Sequence, residues 1–177
     1  MAEAFSNKVA RAAGIVTTMS SGAIGIQTNL ITGISTVHVA VNDLVDNSNY
    51  ILGTKVTNIG VSSVTCDRDS TNTAAATAQS VKFLGPTTCY ASSGKSILVG
   101  GTFANNTNSS VNLTVQLYAN SVTTEVGIAA KIPVPNGSSF VISDAGKTVM
   151  EASDEIRIYC DSEGAIDATL SILTGVS

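Results

Sequence analysis

His38 is the only histidine in the sequence, so a hydrolytic mechanism that needs an imidazole base would have to use it. Asp43 and Asp46 follow it and are candidates to orient the ring, but no pattern marks a particular serine as the nucleophile. Residues 37–41 alternate valine with other residues, which predicts a half-buried strand that carries His38. A lone histidine in such a strand is usually structural. The sequence therefore favours a protein that is not an enzyme.

The sequence also contains an incomplete phosphate-binding motif. Residues 93–96, Ser-Gly-Lys-Ser, match the end of the G-x-x-x-x-G-K-S loop, but the motif requires glycine where Cys89 stands. No helix signal follows to direct its N-terminal dipole at a phosphate. Gly22 and Gly25 likewise lack the rest of a dinucleotide-binding fingerprint. We therefore expect tight turns at these positions and no bound cofactor.

Two acidic groups have spacing that suggests calcium ligands. Asp67 and Asp69 alternate as loop ligands do, but the EF-hand pattern also needs glycine at position 72 and glutamate at position 78, where this chain has asparagine and alanine. The second group brackets a predicted turn and consists of Asp161, Glu163 and Asp167. Calcium takes about six to eight oxygen ligands, and neither group supplies them. We expect solvated turns and no metal.

Charge and cysteine content exclude several classes of partner. Nine basic and 13 acidic residues give a net charge of −4, and the basic residues are scattered, so we expect no nucleic-acid partner. No apolar run approaches the ~20 residues that span a bilayer, and the first residues lack a signal-peptide pattern. We expect no membrane partner and synthesis in a cytoplasm. Cys66, Cys89 and Cys160 are odd in number and widely spaced, which predicts reduced thiols that behave as small apolar side chains.

The elements expected to position these residues are mostly strands. Only 12% of the residues are charged and 5% are aromatic, so neutral polar side chains must form the surface, a composition typical of strands and turns. Residues 111–119 alternate apolar and neutral polar side chains almost without exception, which predicts a strand with one core face. Further short strand signals, separated by frequent turns, continue to Leu173 and indicate a sandwich or barrel.

We predict an all-β protein with a C-terminal antiparallel β-sandwich, of jelly-roll or Ig-like type, preceded by a smaller β-rich part. The expected domains are an N-terminal helix or arm at 1–28, a small β-rich subdomain at 29–76 and the sandwich at 77–177. The boundary is placed in the small-residue stretch 74–79, which lacks bulky anchoring side chains.

The N-terminal segment is expected to serve in assembly. Residues 2–13 form a predicted short helix, with Phe5 and Val9 on its apolar stripe and Gly14 at its C-terminal stop. A helix this short is unstable alone, so it must dock on another surface. Phe5, Val9 and Ile15 are the predicted assembly contacts.

Two glycine-containing turns predict hairpins. Asn136-Gly137, after Pro135, supplies the positive φ angles of a type I′ turn between strands at 126–134 and 138–143. Residues 162–164, Ser-Glu-Gly, join two alternating segments that should likewise pair antiparallel.

Two longer stretches of turns and strands carry a resemblance to a known family. They comprise residues 43–47, 53–60 and 65–68, and residues 131–139, 145–147, 155–158 and 165–168. The second stretch contains a P-x-G-S turn before a G-K-x-x-x-E-x-x-D hairpin. Both resemble virion structural proteins of tailed bacteriophages, notably the T4-like phages of marine cyanobacteria.

This resemblance implies a role in the virus particle and no active site. The chain would be a non-enzymatic virion protein that is made in the host cytoplasm, forms a homo-oligomer and binds other virion proteins. The neck or tail is favoured. A capsid decoration protein and a receptor- or carbohydrate-binding β-sandwich module are the alternatives, and the tyrosines at 50, 90, 118 and 159 are the candidates to stack on a sugar.

Overall fold

A computed structural model describes residues 3–143 and 147–176. Over these residues the chain forms fifteen β-strands and one short 3-10 helix, which confirms the all-β prediction. The chain divides into two compact units: one combines the segment up to Gly14 with the segment from Thr87 onward, and the other is Ile15–Pro86. Within the described ranges, no helix has the length and hydropathy needed to cross a bilayer.

The strands are numbered in chain order. The first seven are β1 (Ala4–Ala13), β2 (Ile15–Ile24), β3 (Leu30–Thr32), β4 (Leu44–Asp46), β5 (Val56–Ile59), β6 (Ser63–Cys66) and β7 (Ala76–Gly85). The others are β8 (Thr87–Ala91), β9 (Ser96–Asn105), β10 (Val111–Ala119), β11 (Thr124–Val134), β12 (Ser139–Ile142), β13 (Thr148–Met150), β14 (Glu155–Cys160) and β15 (Ile166–Thr174). The 3-10 helix, Asn120–Val122, joins β10 to β11.

The discontinuous unit is a sandwich of two antiparallel sheets. One sheet has the order β1-β15-β9-β12, with β13 continuing beside β9 where β12 ends, and the other has the order β11-β10-β14-β8. Consecutive strands alternate between the sheets except β10 and β11, which form a hairpin. With β12 and β13 counted as one interrupted strand, this winding of eight strands is the jelly roll, so the jelly-roll form of the prediction is confirmed and the Ig-like form is not.

The inner faces of these two sheets share one core. In β10 the alternate residues Val111, Leu113 and Val115 are buried, as their spacing predicts. They pack with buried residues of the facing sheet, which include Leu98, Phe103, Ile166, Leu170 and Ile172. The sandwich is therefore held by aliphatic side chains from both layers.

The predicted N-terminal helix is wrong, because residues 4–13 form the edge strand β1. It pairs antiparallel with β15, from Ala4 opposite Thr174 to Ala10 opposite Ala168. Phe5 and Val9 are four residues apart, a spacing that places two side chains on one side of a helix and equally on one face of a strand. Pairing with β15 satisfies the backbone, which an isolated short helix in water does not do stably.

Gly14 is the point where the chain leaves the sandwich, and it is not a helix stop. Its φ of +128° lies in a region that favours glycine. A Cβ atom there would lie 2.3 Å from the carbonyl oxygen of Ser162 and 3.2 Å from the backbone nitrogen of Gly164. The carbonyl of Gly14 accepts a hydrogen bond from that nitrogen at 3.0 Å, so the close approach fastens β1 to the β14–β15 turn.

The continuous unit is one six-stranded antiparallel sheet with the order β4-β7-β2-β3-β6-β5. Its two end strands are joined by a bridge between Leu44 and Lys55. Beside it, Val45 donates to the carbonyl of Thr54 at 2.8 Å, and Val56 to that of Asp43 at 3.0 Å. The sheet therefore closes on itself around a separate core, formed by Ile24, Ile31, Ile34, Val39, Val45, Tyr50, Val56, Val64, Cys66, Val81 and Phe83.

The continuous unit is an insertion between β1 and β8. Its first strand, β2, pairs with its last, β7, and Ile15 lies opposite Gly85, so the chain enters and leaves at one place. This division differs from the expected domains at 1–28, 29–76 and 77–177, because β2 and β7 flank the middle segment and share a sheet.

We expect the sandwich to fold without the insertion. Replacement of residues 15–86 by a short glycine-serine linker should leave a β-rich far-UV circular dichroism spectrum and one cooperative thermal transition, because both cut ends belong to the sandwich. At these ends Gly14 N–H donates to Thr87 Oγ1 at 3.4 Å. Insertions of this kind are tolerated where their termini lie close together. A disordered spectrum of the shortened chain would contradict the assignment of β1 to this unit.

The strand predicted at 37–41 is wrong. Two successive turns occupy this segment, closed by bonds from Val39 N–H to the carbonyl of Thr36 and from Asp43 N–H to that of Ala40. His38 and Asn42 both have positive φ, which an extended strand does not allow. Apolar alternation alone therefore does not identify a strand when the side chains do not share one buried face.

Both predicted hairpins are also wrong. Pro135-Asn136-Gly137 is a turn, with Ser138 N–H bonded to the carbonyl of Pro135, but β11 before it and β12 after it lie in different sheets. In this turn Gly137, and not Asn136, has positive φ, as in a type II turn. Likewise, residues 162–164 lead from β14 in one sheet to β15 in the other. These turns are corners of the sandwich.

Candidate functional site

His38 lies in an exposed turn. Its carbonyl accepts a bond from Thr17 Oγ1 at 3.3 Å, but within residues 3–143 and 147–176 no hydrogen bond joins its ring to a carboxylate or hydroxyl. Asp43 is buried and accepts a bond from Ala40 N–H at 2.8 Å. Burial raises the pKa of Asp43, and this backbone bond offsets part of the effect. The structure therefore assigns Asp43 to the adjoining turn and not to a histidine.

The aspartates considered as metal ligands bind backbone instead. Asp67 accepts a bond from Lys55 N–H, Asp161 accepts bonds from the N–H and side-chain amide of Asn112, and Asp167 accepts a bond from Ala12 N–H, each at 2.8 Å. Of the residues that the structure describes, no three acidic, histidine or cysteine side chains are grouped to hold a metal ion. These carboxylates tie neighbouring strands together.

The cysteines lie within the two cores. Cys66, Cys89 and Cys160 are all buried and form no disulfide, as expected from their number and spacing. Burial raises the pKa of Cys66 to about 11, although a hydrogen bond with Tyr50 lowers it in part. Burial alone raises the pKa of Cys89 to about 12. Thiols with raised pKa are poor nucleophiles.

We therefore expect none of the thiols to react with Ellman's reagent in the native protein. In denaturant all three should react, because unfolding restores both access and an ordinary pKa. The absorbance of the released thionitrobenzoate measures the number of reactive thiols per chain. One thiol that reacts rapidly without denaturant would contradict the burial described here.

The tyrosines do not form a platform for a sugar ring. Tyr50, Tyr90 and Tyr159 are buried. Tyr118 is half-buried, and the guanidinium carbon of Arg157 lies 4.0 Å from the centre of its ring. Of the four tyrosines and four phenylalanines, all within the described residues, Phe5 is the strongly exposed one at 73%.

Arg157 is the centre of a polar cluster on the outer face of the four-stranded sheet. It bonds to Glu125 at 2.5 Å and to Glu155 at 2.8 Å. The second oxygen of Glu125 accepts a bond from the hydroxyl of Tyr159 at 3.0 Å. The bonded residues come from β11 and β14, and the ring of Tyr118 in β10 lies against Arg157, so no local spacing in the sequence reveals the whole cluster. Its carboxylates are matched by a cation and a hydroxyl, an arrangement typical of structural ion pairs.

The outer face of the other sheet carries an apolar row that crosses β1, β15, β9 and β13. Phe5 lies opposite Leu173 of β15, which lies opposite Ile97 of β9, which lies opposite Val149 of β13. Directly paired residues on one face have Cβ atoms about 5 Å apart, so these side chains are neighbours on that face. Phe5 and Val149, at the two ends, are 73% and 55% exposed. We call this set the outer row.

A second row runs parallel to the first. Val9, 74% exposed, lies opposite Thr169, and across β9 from there Thr102 lies opposite Val141, 55% exposed. Phe5 and Val9, two of the three predicted assembly residues, therefore lie on the same outer sheet face. The third, Ile15, is 49% exposed and begins β2 in the other unit. The structure brings two of them together and assigns the third elsewhere.

The edge of this sheet is β1. It pairs with β15 on one side, and over Ala4–Ala10 none of the described residues pairs with its other side. A ten-residue edge strand is a ready template for pairing with another chain. The pairing with β15 shifts register between Ala10 and Ala13, where Ala12 has a positive φ. The regular edge is therefore seven residues long.

Comparison with known proteins gives no sequence match and one weak structural match. No protein-family model matches the sequence, and no curated protein sequence matches it. A chain in a structure of infectious bursal disease virus, Gx strain, is similar with a TM-score of 0.36 and 9% identity, over 97% of this chain and 70% of the other. At this TM-score the likeness carries no argument about function. The resemblance to tailed-phage structural proteins stays a prediction.

Proposed function

We propose that this chain is a non-enzymatic structural protein of a virus particle, and that it works by packing against neighbouring subunits. The observation that carries the proposal is the jelly-roll winding of the sandwich, combined with an apolar outer face and an unpaired edge on the same sheet. Eight-stranded jelly rolls recur in viral capsid and lectin domains. A fold alone does not define a function, so the choice between a capsid-like subunit and a lectin rests on the exposed side chains.

The composition supports assembly. Only 12% of the residues are charged, so neutral polar and apolar side chains form most of the surface. Charged residues are depleted at the centre of protein interfaces because they are costly to desolvate. The Arg157 cluster lies on the other sheet, and the outer face that carries Phe5 and Val9 offers apolar side chains that a neighbouring subunit can cover.

The finer parts of the proposal follow from the sequence resemblance. The particle is of the tailed-phage type, the chain forms a homo-oligomer in contact with other virion proteins, and the neck or tail is its favoured position. A capsid decoration protein with the same architecture is the alternative position. Phe5 and Val9 supply contacts from the sandwich, and Ile15 from the insertion.

A lectin is the second candidate because it shares the jelly-roll fold. Sugar sites usually present an open aromatic face, and here three tyrosines are buried and the fourth lies beneath Arg157. The surface therefore favours a subunit over a sugar-binding head. A glycan array on which the protein binds, and stops binding when Tyr118 is changed to alanine, would reverse this choice.

Quantitative mass spectrometry of purified particles tests the proposal. We expect the chain to be present at a fixed copy number: hundreds would place it on the capsid, and a small multiple of three, five or six would place it in a ring at the neck or tail. The double variant Phe5→Ser with Val9→Ser should be incorporated less. Val61→Ser, which alters a valine that is 99% exposed in the insertion, is the matched control. Absence of the chain from purified particles would overturn the proposal.

A further inference from the structure

The residues along the free edge of β1 are complementary to themselves in reverse order. Reading outward from Asn7, the exposed positions are Phe5 and Val9, followed by Glu3 and Arg11. An antiparallel pair of identical strands centred on residue 7 therefore places Phe5 against Val9 within the regular edge, and Glu3 against Arg11 directly beyond its two ends. Each contact occurs twice, as a twofold axis requires.

We propose that β1 binds β1 of a second copy of this chain, antiparallel and with Asn7 on the twofold axis. The inference deepens the proposed function, and it rests on that function only in holding that the chain assembles. The partner strand satisfies the backbone groups that β15 leaves free, which is the strand-addition mode of recognition. The sheets of the two copies then form one continuous sheet.

Side-chain chemistry fixes the register. Opposite charges directly across a strand pair are favourable, as are aromatic and β-branched pairs, and like charges are unfavourable. On the other face, Lys8 meets Ser6 of the second copy, so no like charges oppose each other. If the second strand slides by two residues in one direction, Lys8 lies opposite Lys8, and the like charges repel. If it slides by two residues in the other direction, Phe5 lies opposite Asn7 and loses its valine partner.

The pairing also continues the apolar face described above. Phe5 is 73% exposed and Val9 is 74% exposed, and in this register each covers the other across the junction. The outer row of one copy then adjoins the second row of the other copy. The contact is short, because the regular edge ends at Ala10, so we expect it to fall below the ~1,200 Å² of a standard interface. We therefore expect a dimer that dissociates at micromolar concentrations.

Charge reversal tests the pairing in solution. Sedimentation equilibrium of the full chain should show a monomer–dimer equilibrium. Arg11→Glu or Glu3→Arg alone should weaken dimerisation about tenfold, because both symmetry-related pairs change from attractive to repulsive. The double variant with both changes should restore wild-type affinity. Lys147→Glu, beside β13 at the far side of the sheet, is the control and should change nothing. A monomer at all concentrations, or a dimer indifferent to Arg11→Glu, would overturn the inference.

Cysteine crosslinking tests the register. Residues directly opposite in an antiparallel pair have Cα atoms about 4.5–5.5 Å apart, within the range that a disulfide allows. Asn7→Cys should therefore form a covalent dimer on mild oxidation, whereas Phe5→Cys alone should not, since its counterpart is displaced by four residues. Mixing the Phe5→Cys and Val9→Cys chains should give the mixed dimer. The native cysteines are buried and contribute no background.

Each outcome is specific to one proposal. If Phe5→Cys crosslinks to itself as fast as Asn7→Cys, the register is wrong and the inference fails. If the wild-type chain is monomeric but present in purified particles, the inference fails and the proposed function stands. If the chain dimerises in this register but is absent from particles, the inference stands and the proposed function fails.

Discussion

Gly14→Ala should lower the free energy of unfolding of the sandwich by about 3 kcal/mol or more, since backbone strain at positive φ costs 1–3 kcal/mol and a steric conflict adds to it. The added Cβ would lie 2.3 Å from the carbonyl oxygen of Ser162, well inside van der Waals contact. That oxygen belongs to backbone at the corner between β14 and β15, so it cannot rotate away as a side chain does. The change should separate β1 from that corner.

Urea unfolding followed by far-UV circular dichroism measures this effect, which suits a chain without tryptophan. Gly127→Ala is the matched control: Gly127 is exposed in β11, and a Cβ there would meet nothing within 4 Å. The control should change stability by less than about 0.5 kcal/mol. Equal unfolding midpoints for the two variants would contradict the position of Gly14 against the β14–β15 turn.

Arg157→Ala should cost about 3–5 kcal/mol, the usual result of removing one partner from a buried ion pair. The side chain of Glu125 is only 5% exposed, so without Arg157 its charge would be left largely desolvated. The hydroxyl of Tyr159 also donates a hydrogen bond to that carboxylate, but a neutral hydroxyl does not replace the lost positive charge. Arg68→Ala is the control, because Arg68 is 45% exposed and lies 3.8 Å from Asp67; such surface pairs contribute about 0–1 kcal/mol.

The same cluster predicts how stability depends on pH. Burial tends to raise the pKa of Glu155, but hydrogen bonds from Arg157 and Thr88 and the charge of Arg157 hold it below its usual value. A lowered folded-state pKa means that this stabilisation is complete above about pH 4.3, the ordinary glutamate value, and is lost as the pH falls below it. Arg157→Ala should flatten that acid limb in urea titrations. An unchanged limb would contradict the role of Arg157.

The sequence predicts the class of the fold because that class depends on local patterns. The alternation of residues 111–119 identifies β10 and its buried face, and the frequent turns indicate a sandwich. Which strands pair within each sheet is harder to predict from the sequence. A glycine turn shows that the chain reverses, but it does not show which sheet the next strand joins. In a jelly roll most successive strands change sheets, so both predicted hairpins are wrong for the same reason.

The boundaries of the insertion and the strand conformation of β1 could not be predicted from the sequence for a different physical reason. β2 and β7 are about sixty residues apart in the chain, and neither alone shows that the other is its partner. Phe5 and Val9 are compatible with helix and strand alike, and only the pairing of β1 with β15, the two ends of the chain, decides between them.

The candidate surface was predictable in part. The sequence predicts that Phe5 and Val9 share one apolar stripe, and the structure places them on one sheet face, where both are exposed. Ile15 is close to them in sequence but belongs to the inserted unit. Leu173, Ile97 and Val149 complete the outer row only through strand pairing, which a linear pattern does not contain.

A density map of the purified virus particle by electron cryomicroscopy, at a resolution that traces strands, tests the central claim most directly. We expect a jelly-roll subunit at symmetry-related positions, with the sheet face that carries Phe5 and Val9 covered by a neighbouring subunit. A particle that lacks this chain, or one in which that face is open to solvent in every copy, would contradict the claim.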